Sequence, residues 1–298
     1  MMRSFMLTGL LLALLSAPAA AIDWWWDYQA NHPSQYADLP SDVKNAAGGN
    51  AFVLKRQENN PGHAWVDLGG GNWGWQLWND QTITSGNNRY YWDGNDTGYQ
   101  AYDPTKGWGY TWTSQFRIDS QINGFDGTKF RTTPLFLFYQ GMTTGNDAKV
   151  RLNVSDHKLL GKDPITGLPI WGEAGLFVVV DDILPDGTYI NFDFSDGQFH
   201  TIWIAAYSLP GMTDCKHMYW FDGVLVSDGE YARSGAYTSD IYFGWNERYG
   251  GRSMATFDYV KLSAQGAFDP LGNPVPEPGS LLALAGGLVG IAAVRRRR

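Results

Sequence analysis

Apolar and polar positions alternate one by one along much of this chain. The clearest stretch is 108–118, where large apolar side chains recur at every second position from Trp108 to Trp112 and again at Phe116 and Ile118. Successive side chains of a strand point to opposite sides, so this pattern predicts a strand with one face in a core. Similar stretches predict strands at 64–68, 129–139, 148–154, 175–181, 188–194, 199–207, 217–226, 240–245 and 256–262.

These ten predicted strands are separated by Gly, Asn, Asp and Pro, and no long helical periodicity lies between them. Strands without helical crossovers pair antiparallel, so an all-β sandwich or barrel is expected. The stretch 175–180 is apolar at every position and is therefore predicted to be covered on both faces.

Composition agrees with a well-packed domain. Aromatic residues make up 15% of the chain and include 14 Trp, which provides ample surface to bury. The net charge of −8, without a basic patch, predicts no nucleic-acid partner. The single cysteine, Cys215, excludes an internal disulfide and is predicted to be buried.

The start of the chain has the pattern of a secretory signal peptide. Arg3 precedes an apolar run at 5–15, and small residues follow up to Ala21. This pattern predicts a signal peptide over 1–21 that signal peptidase removes after Ala21. The N-terminal segment 22–49 then begins with three adjacent tryptophans, which could pack on the sandwich or contact the membrane or matrix.

The end of the chain has three parts in order: a Pro-Glu-Pro triplet, an apolar run at 281–294 and four arginines. As a helix at ~1.5 Å per residue, the run spans only ~21 Å, so a short transmembrane sorting helix is predicted. The arginines hold its end on the cytoplasmic side. The motif residues are Pro276, Glu277, Pro278, Arg295, Arg296, Arg297 and Arg298.

This tail, 275–298, resembles the PEP-CTERM sorting signal, and a Gly/Pro-rich linker at 264–274 joins it to the domain. The resemblance implies that an exosortase in the inner membrane recognises the tail and cuts near the triplet. The protein would be anchored transiently in the inner membrane and then reach the cell surface or extracellular matrix. A plain membrane anchor is the alternative, but it does not explain the triplet.

A second resemblance covers four segments in the later half of the domain, at 199–204 (FHTIWI), 219–226 (YWFDGVLV), 241–245 and 257–262. In this order they resemble strands of concanavalin A-like and laminin G-like domains. The resemblance implies an antiparallel jelly-roll β-sandwich over 50–263 and a structural role for His200. Turn chemistry independently predicts a hairpin at Asp222-Gly223.

Glycoside hydrolases of this superfamily carry acidic residues at alternate positions of one strand. None of the domain's four glutamates, Glu58, Glu173, Glu230 and Glu247, is followed two residues later by another acid. The adjacent pair Asp181-Asp182 would point to opposite faces of a strand. The sequence therefore predicts no catalytic residue and no cofactor, with calcium as an option.

Aromatic rings beside planar polar groups suit carbohydrate binding. Asp93, Asn95 and Asp96 also surround Gly94 in a pattern similar to a calcium loop, with a solvated turn as the alternative. Core positions are the alternative for Trp73 and Trp75. The candidate ligand-binding residues are Trp73, Trp75, Tyr91, Trp92, Asp93, Asn95, Trp245, Asn246 and Arg248.

These features predict an exported surface or exopolysaccharide-matrix protein that binds polysaccharide through a lectin-like domain without cleaving it. A glycoside hydrolase or polysaccharide lyase of the same fold is one alternative. A structural or adhesive matrix protein without a specific glycan ligand is the other.

Overall fold

The computed structural model describes residues 22–29, 42–44, 48, 52–93, 108–125, 130–140, 148–183, 188–208, 215–227, 230–231, 240–247, 249–263 and 266–275. The predicted signal peptide, the Pro-Glu-Pro triplet and the apolar tail lie outside these residues, as do Asn95, Asp96 and Arg248. The described part of the chain contains no α-helix, and so none that could cross a membrane.

The described residues form eighteen strands. In chain order they are β1 (Trp26–Gln29), β2 (Val53–Gln57), β3 (Gly62–Gly69), β4 (Asn72–Trp78), β5 (Asn88–Asp93), β6 (Trp108–Ile122), β7 (Gly124–Phe125), β8 (Phe130–Arg131), β9 (Thr133–Gln140), β10 (Ala148–Lys162), β11 (Pro169–Ile183), β12 (Tyr189–Asp193), β13 (His200–Ser208), β14 (Cys215–Phe221), β15 (Val224–Ser227), β16 (Glu230–Tyr231), β17 (Asp240–Glu247) and β18 (Arg252–Ser263).

Two antiparallel sheets contain nearly all of these strands. The first sheet has the order β15-β14-β13-β6-β18-β4-β3, with β1 beside β18 and β16 beside β14. The second sheet has the order β12-β11-β10-β9-β17-β5-β2, and β7 and β8 form a small separate ribbon. The predicted all-β antiparallel sandwich is confirmed. Strand β1 shows that part of the N-terminal segment 22–49 belongs to the first sheet.

Aromatic side chains fill the space between the sheets. Trp26, Trp75, Trp92, Trp112 and Trp245 are all less than 2% exposed. Edge-to-face and tilted ring contacts join them, for example at 5.5 Å between Trp75 and Trp92. Each buried aromatic side chain contributes on the order of 2–3 kcal/mol through removal of apolar surface from water. The aromatic content of the sequence is therefore largely the core of the sandwich.

Strand β11 is covered on both faces, as its continuous apolar sequence predicts. Val178 and Val180 belong to the central core between the sheets. Phe177 and Val179 point the other way and pack with Leu159 in a separate cluster outside the second sheet. Both faces of β11 are therefore buried over residues 177–180.

The hairpin between β14 and β15 turns at Asp222 and Gly223. Their φ angles of 49° and 78° are both left-handed, as a two-residue type I′ turn requires. Asp and Gly tolerate this conformation better than most residues. The predicted Asp-Gly hairpin is confirmed.

A group of buried amides closes one end of the sandwich. The Asn88 side chain donates to the carbonyl oxygens of Asp80 (2.8 Å) and Gly251 (3.0 Å). The Asn79 side chain donates to the same Gly251 oxygen and accepts from the Ser253 amide at 2.8 Å. These amides satisfy backbone groups that leave the strands here, so their role is structural.

Candidate functional site

Strands β5 and β17 lie side by side and bring several predicted binding residues together. Across this ladder Tyr91 pairs with Gly244, Asp93 with Tyr242 and Asn246 with Arg89. Because side chains alternate along a strand, Tyr91 and Asn246 share the outer face of the second sheet. Two of the predicted binding residues therefore meet, although they are separated by about 150 residues in sequence.

The tryptophans among the predicted residues belong to the core instead. Trp75, Trp92 and Trp245 are 0% exposed, so these three rings cannot contact a bound ligand in this fold. Trp75 lies on β4, Trp92 on β5 and Trp245 on β17, and alternation directs these rings inward. Trp73 is half-buried on β4, in the first sheet and thus apart from Tyr91.

The outer face of the second sheet presents little aromatic surface. Tyr91 packs on Tyr242 with ring centroids 5.2 Å apart, but Tyr242 itself is only 7% exposed. Nearby, Arg89 forms an ion pair with Glu58 at 2.8 Å. Among the residues that the structure describes, no group of three or more His, Cys, Asp or Glu is placed to hold a metal ion.

The outer face of the first sheet carries a denser polar group, which the sequence analysis did not identify. Two β-bulges lie within it, in the ladder between β6 and β18. On β6, Met254 pairs with Ser120 and Ala255 with Ile118, so Asp119 is the extra residue. On β18, Phe257 pairs with Phe116 and Tyr259 with Gln115, so Asp258 is the extra residue.

Both carboxylates point away from the core, because each directly follows a core residue, Ile118 or Phe257. Two residues, Asp258 and Tyr259, separate the core side chains of Phe257 and Val260, where regular alternation allows one. Bulges re-aim side chains and are over-represented next to functional sites. We refer to Gln76, Arg117, Asp119, Thr256 and Asp258 as the polar face.

Asp119 is the centre of the hydrogen bonding on the polar face. Its Oδ2 accepts from the Thr256 hydroxyl at 2.6 Å and from the Gln76 amide at 3.0 Å. Its Oδ1 accepts from Nε of Arg117 at 2.8 Å. Side chains from three strands, β4, β6 and β18, thus form one hydrogen-bonded network on this face.

Asp258 has a different environment from Asp119. Burial raises the pKa of Asp258, and the positive charge of Lys261 opposes this only in part. Its Oδ1 is buried and has no hydrogen-bond donor among the described residues. A half-buried carboxyl group with a raised pKa is a common feature of functional sites. The two carboxylates of the polar face are therefore chemically distinct.

Sequence alternation contained an indirect signal for these residues. The pairs Asp119-Ser120 and Asp258-Tyr259 interrupt the period of two inside otherwise regular strands. Such an interruption indicates a bulge, but it does not reveal that the two bulges lie on one face. That information comes only from the pairing of β6 with β18.

His200, the first residue of β13, is held between two carboxylates. Its Nδ1 lies 2.7 Å from Oδ2 of Asp222, and its Nε2 lies 2.9 Å from Oδ1 of Asp196. Burial alone would lower the pKa of His200, but hydrogen bonds and charge interactions with both aspartates raise it overall. The ring also stacks on Phe221 at 4.8 Å. These contacts support the structural role implied for His200.

The two sheets and the aromatic core between them define an antiparallel β-sandwich. Residues 274–298 match the PEP-CTERM protein-sorting motif. The chain thus carries this sorting motif at its C-terminus, as predicted, and the motif implies an exported protein that an exosortase processes. No curated protein sequence matches the chain.

Solved structures show related sandwiches at low sequence identity. A conserved carbohydrate esterase from the Shiga toxin-encoding bacteriophage phi24B has 9% identity and a TM-score of 0.44, covering 82% of this chain and 99% of its own. The catalytic domain of a glycoside hydrolase family 131 protein from Coprinopsis cinerea has 12% identity and a TM-score of 0.40, covering 85% and 98%.

The binding domain of Paraclostridial Mosquitocidal Protein 1 has 11% identity and a TM-score of 0.41. The match covers 87% of this chain but only 51% of that binding domain, so the chain spans about half of it. All three similarities concern the sandwich architecture and assign no activity to this chain.

Proposed function

We propose that this protein is an exported surface or matrix protein that binds carbohydrate through the polar face of its first sheet. The observation that supports the proposal is the network that joins Asp119 to Gln76 and Arg117 on this face. Asp258 lies on the same side of the sheet, at a bulge of the neighbouring strand β18. Planar amide, carboxylate and guanidinium groups are the partners that sugar hydroxyls use most readily. The sorting motif is consistent with delivery to a polysaccharide-rich surface.

Aromatic surface lies next to these groups. Tyr259 is half-buried and follows Asp258 directly in the bulge. Arg117 lies over the ring of Phe199 at 5.2 Å, which fixes the guanidinium orientation. A sugar ring placed on this face would find hydrogen-bonding groups and an apolar contact together.

A glycan-cleaving activity is the second candidate. The specific observation is that Asp258 has a raised pKa, whereas Asp119 is paired with Arg117 at 2.8 Å. Two carboxyl groups in different environments are the arrangement with which glycosidases divide the roles of acid and base. Cleavage would therefore use the same face as binding.

The test is a glycan-array screen of the protein without its sorting tail, with and without calcium, followed by product analysis on every bound glycan. The proposal expects saturable binding that Asp258→Asn and Gln76→Ala each weaken, since each removes one group of the polar face. Loss of one buried hydrogen bond to a ligand corresponds to roughly a 10-fold weaker Kd.

Tyr91→Ala is the matched control, because Tyr91 lies on the outer face of the other sheet. Loss of binding in this variant alone would move the site to β5 and β17, as the sequence first suggested. New reducing or unsaturated ends would establish cleavage. Absence of binding to any glycan would contradict the proposal and favour a structural matrix protein.

A further inference from the structure

The hairpin of β10 and β11 continues past its neighbouring strands as a two-stranded arm. Strand β10 leaves β9 after Val154, and β11 pairs with β12 only from Phe177 onward. From His157 to Ala174 the described ladders pair β10 and β11 with each other alone. We refer to residues 157–174 as the arm.

One side of the arm lies against the outer face of the second sheet. Leu159 pairs with Trp171, and both pack in the cluster that includes Tyr189 of β12. The Asn191 side chain, also from β12, donates to the Leu159 carbonyl and accepts from the Leu159 amide, both at 2.9 Å. Apolar packing and hydrogen bonds therefore fix this side of the arm.

The opposite side of the arm carries aliphatic side chains in solvent. Ile170 directly precedes Trp171 and therefore points to the other side of β11, as does Gly172. Leu160 shares that side, because a Cβ atom at Gly172 would lie 3.1 Å from the Leu160 side chain. Leu160 is 46% exposed, Ile170 is 43% exposed, and Leu168 nearby is 42% exposed.

The turn at 163–168 presents Ile165 at the end of the arm. Oδ1 of Asp163 accepts from the amides of Ile165 (2.9 Å) and Thr166 (2.7 Å), and the Asp163 carbonyl accepts from the Gly167 amide at 2.8 Å. Ile165 is 93% exposed, although such turns usually carry polar residues or glycine. The turn thus holds an aliphatic side chain in solvent, in a position that is formed in advance.

The charged groups of the arm are compatible with a lipid surface. Lys158 forms an ion pair with Glu173 at 3.5 Å, and the turn amides engage the Asp163 carboxylate. Lys162 is exposed, with its Nζ 6.0 Å from the ring centre of Tyr189. Its flexible stem allows the ammonium group to contact a lipid phosphate beside the aliphatic side chains.

The size of the aliphatic surface decides between two kinds of partner. A stable protein interface buries about 800 Å² on each partner, which four partly exposed aliphatic side chains do not supply. A bilayer has no such requirement, because fluid lipid chains adapt to whatever is inserted and each buried CH2 group contributes by itself. The sorting motif at 274–298 also implies that the protein is processed at a membrane.

We propose that the arm is a membrane-contact element that inserts into the boundary between the headgroups and chains of a lipid bilayer. The inserted side chains are those of Leu160, Ile165, Leu168 and Ile170. This contact is separate from the proposed carbohydrate site, because the arm lies outside the second sheet and the polar face lies on the first. Either proposal can therefore fail without the other.

The experiment uses the full-length chain with a polarity-sensitive fluorescent amino acid in place of Thr166, mixed with vesicles of phosphatidylethanolamine and phosphatidylglycerol. A blue shift, together with quenching by quenchers attached to the lipid chains, measures the ratio of inserted to free arms. The proposal expects both signals. Ile165→Ser should lower the ratio roughly 10-fold, and Ile165→Leu should keep it close to the wild-type value.

Leu271→Ser is the matched control, because it removes an exposed aliphatic side chain on the other side of the domain. Leu271 is 79% exposed and lies in a turn on the first sheet, where the Trp203 indole donates to the Phe268 carbonyl at 2.7 Å. This variant should leave the ratio of inserted to free arms unchanged. Urea unfolding of each variant checks that the sandwich remains folded.

Absence of the blue shift in the presence of vesicles would overturn the proposal. So would an equal shift in the Ile165→Ser variant, or an equal loss in Leu271→Ser, because the arm would then not be the inserted element. A shift that needs no vesicles and grows with protein concentration would show that two arms pack on each other, again against the proposal. Insertion that Ile165→Ser weakens and both Ile165→Leu and Leu271→Ser preserve is the outcome that supports it.

Discussion

Asp222→Asn isolates the charge on the carboxylate that holds His200. Asparagine tolerates the left-handed φ of 49° at this turn and still offers an acceptor to the Thr201 amide, which now donates to Oδ1 at 2.8 Å. What disappears is the negative charge 2.7 Å from Nδ1 of His200. Turn geometry and packing stay the same, but an amide NH2, which can only donate, replaces the Oδ2 acceptor. The variant therefore exchanges a charged hydrogen bond for a neutral one in which Nδ1 accepts.

The magnitude follows from the type of hydrogen bond. A hydrogen bond to a charged group contributes about 1.5–3 kcal/mol and a neutral one about 0.5–1.5 kcal/mol, a difference of about 1 kcal/mol. The Asp222 side chain is 47% exposed, so solvent screening reduces this to about 0.5–1 kcal/mol. For a domain of this size, that loss lowers Tm by about 1–4 °C.

The directions of the pKa shifts determine the pH range in which this charge interaction stabilises the fold. The folded-state pKa of His200 is raised, so its contribution to stability is fully present below the unfolded pKa of about 6.5 and is lost as pH rises through the folded pKa. The pKa of Asp196 is lowered, chiefly by the Gln198 amide and also by His200, so that contribution is lost as pH falls below about 4. The full effect is expected between about pH 4.5 and 6.

The assay is denaturant unfolding of the wild type, Asp222→Asn, His200→Gln and the double variant at pH 5.5 and pH 9. Coupling between the two positions of about 0.5–1 kcal/mol at pH 5.5, absent at pH 9, is the expected result. If Asp222→Asn costs the same at both pH values, the histidine is not held as a cation and the reasoning from its two carboxylate partners is wrong.

Two further substitutions separate the core from the polar face. Trp245→Phe removes the indole that donates to the Leu77 carbonyl at 3.1 Å between the sheets. It should lower the free energy of unfolding by about 2–3 kcal/mol. The control Trp73→Phe changes a half-buried ring and should cost less than about 1 kcal/mol. Asp258→Asn should raise stability at pH 8 but not at pH 3, because a raised folded pKa means stability is lost as the carboxyl ionises. Urea titrations measure the free energy of unfolding of each variant. A lower stability of Asp258→Asn than of the wild type at pH 8 would show that the fold stabilises the ionised Asp258 carboxylate, against this reasoning.

The fold was accessible from the sequence because its signals are local. Alternation over 108–118 identified the inner face of β6, and Asp222-Gly223 identified a hairpin turn. Trp75 on β4 and Trp92 on β5 were candidate binding residues because aromatic rings beside Gly and Asn suit a sugar site as well as a core. Composition alone cannot distinguish a core ring from a ligand-binding ring, because the difference lies in which side of the strand the ring occupies.

The polar face could not be predicted because it depends on long-range register. Gln76, Asp119 and Thr256 come from three strands whose positions differ by up to 180 residues. Asp119 and Asp258 each follow a core residue and therefore point outward, but the sequence does not show that their two strands are neighbours in one sheet. No short motif can encode such a site.

Lys261 connects the polar face to the N-terminal segment. Its Nζ pairs with Asp27 of β1 at 3.2 Å and lies 5.8 Å from the ring centre of Trp24. The same charge partly offsets the raised pKa of Asp258. A chain that begins at residue 50 would lose β1, and with it both the partner of Lys261 and the buried ring of Trp26. We therefore expect that the binding experiment requires a chain that includes β1 as well as the later strands.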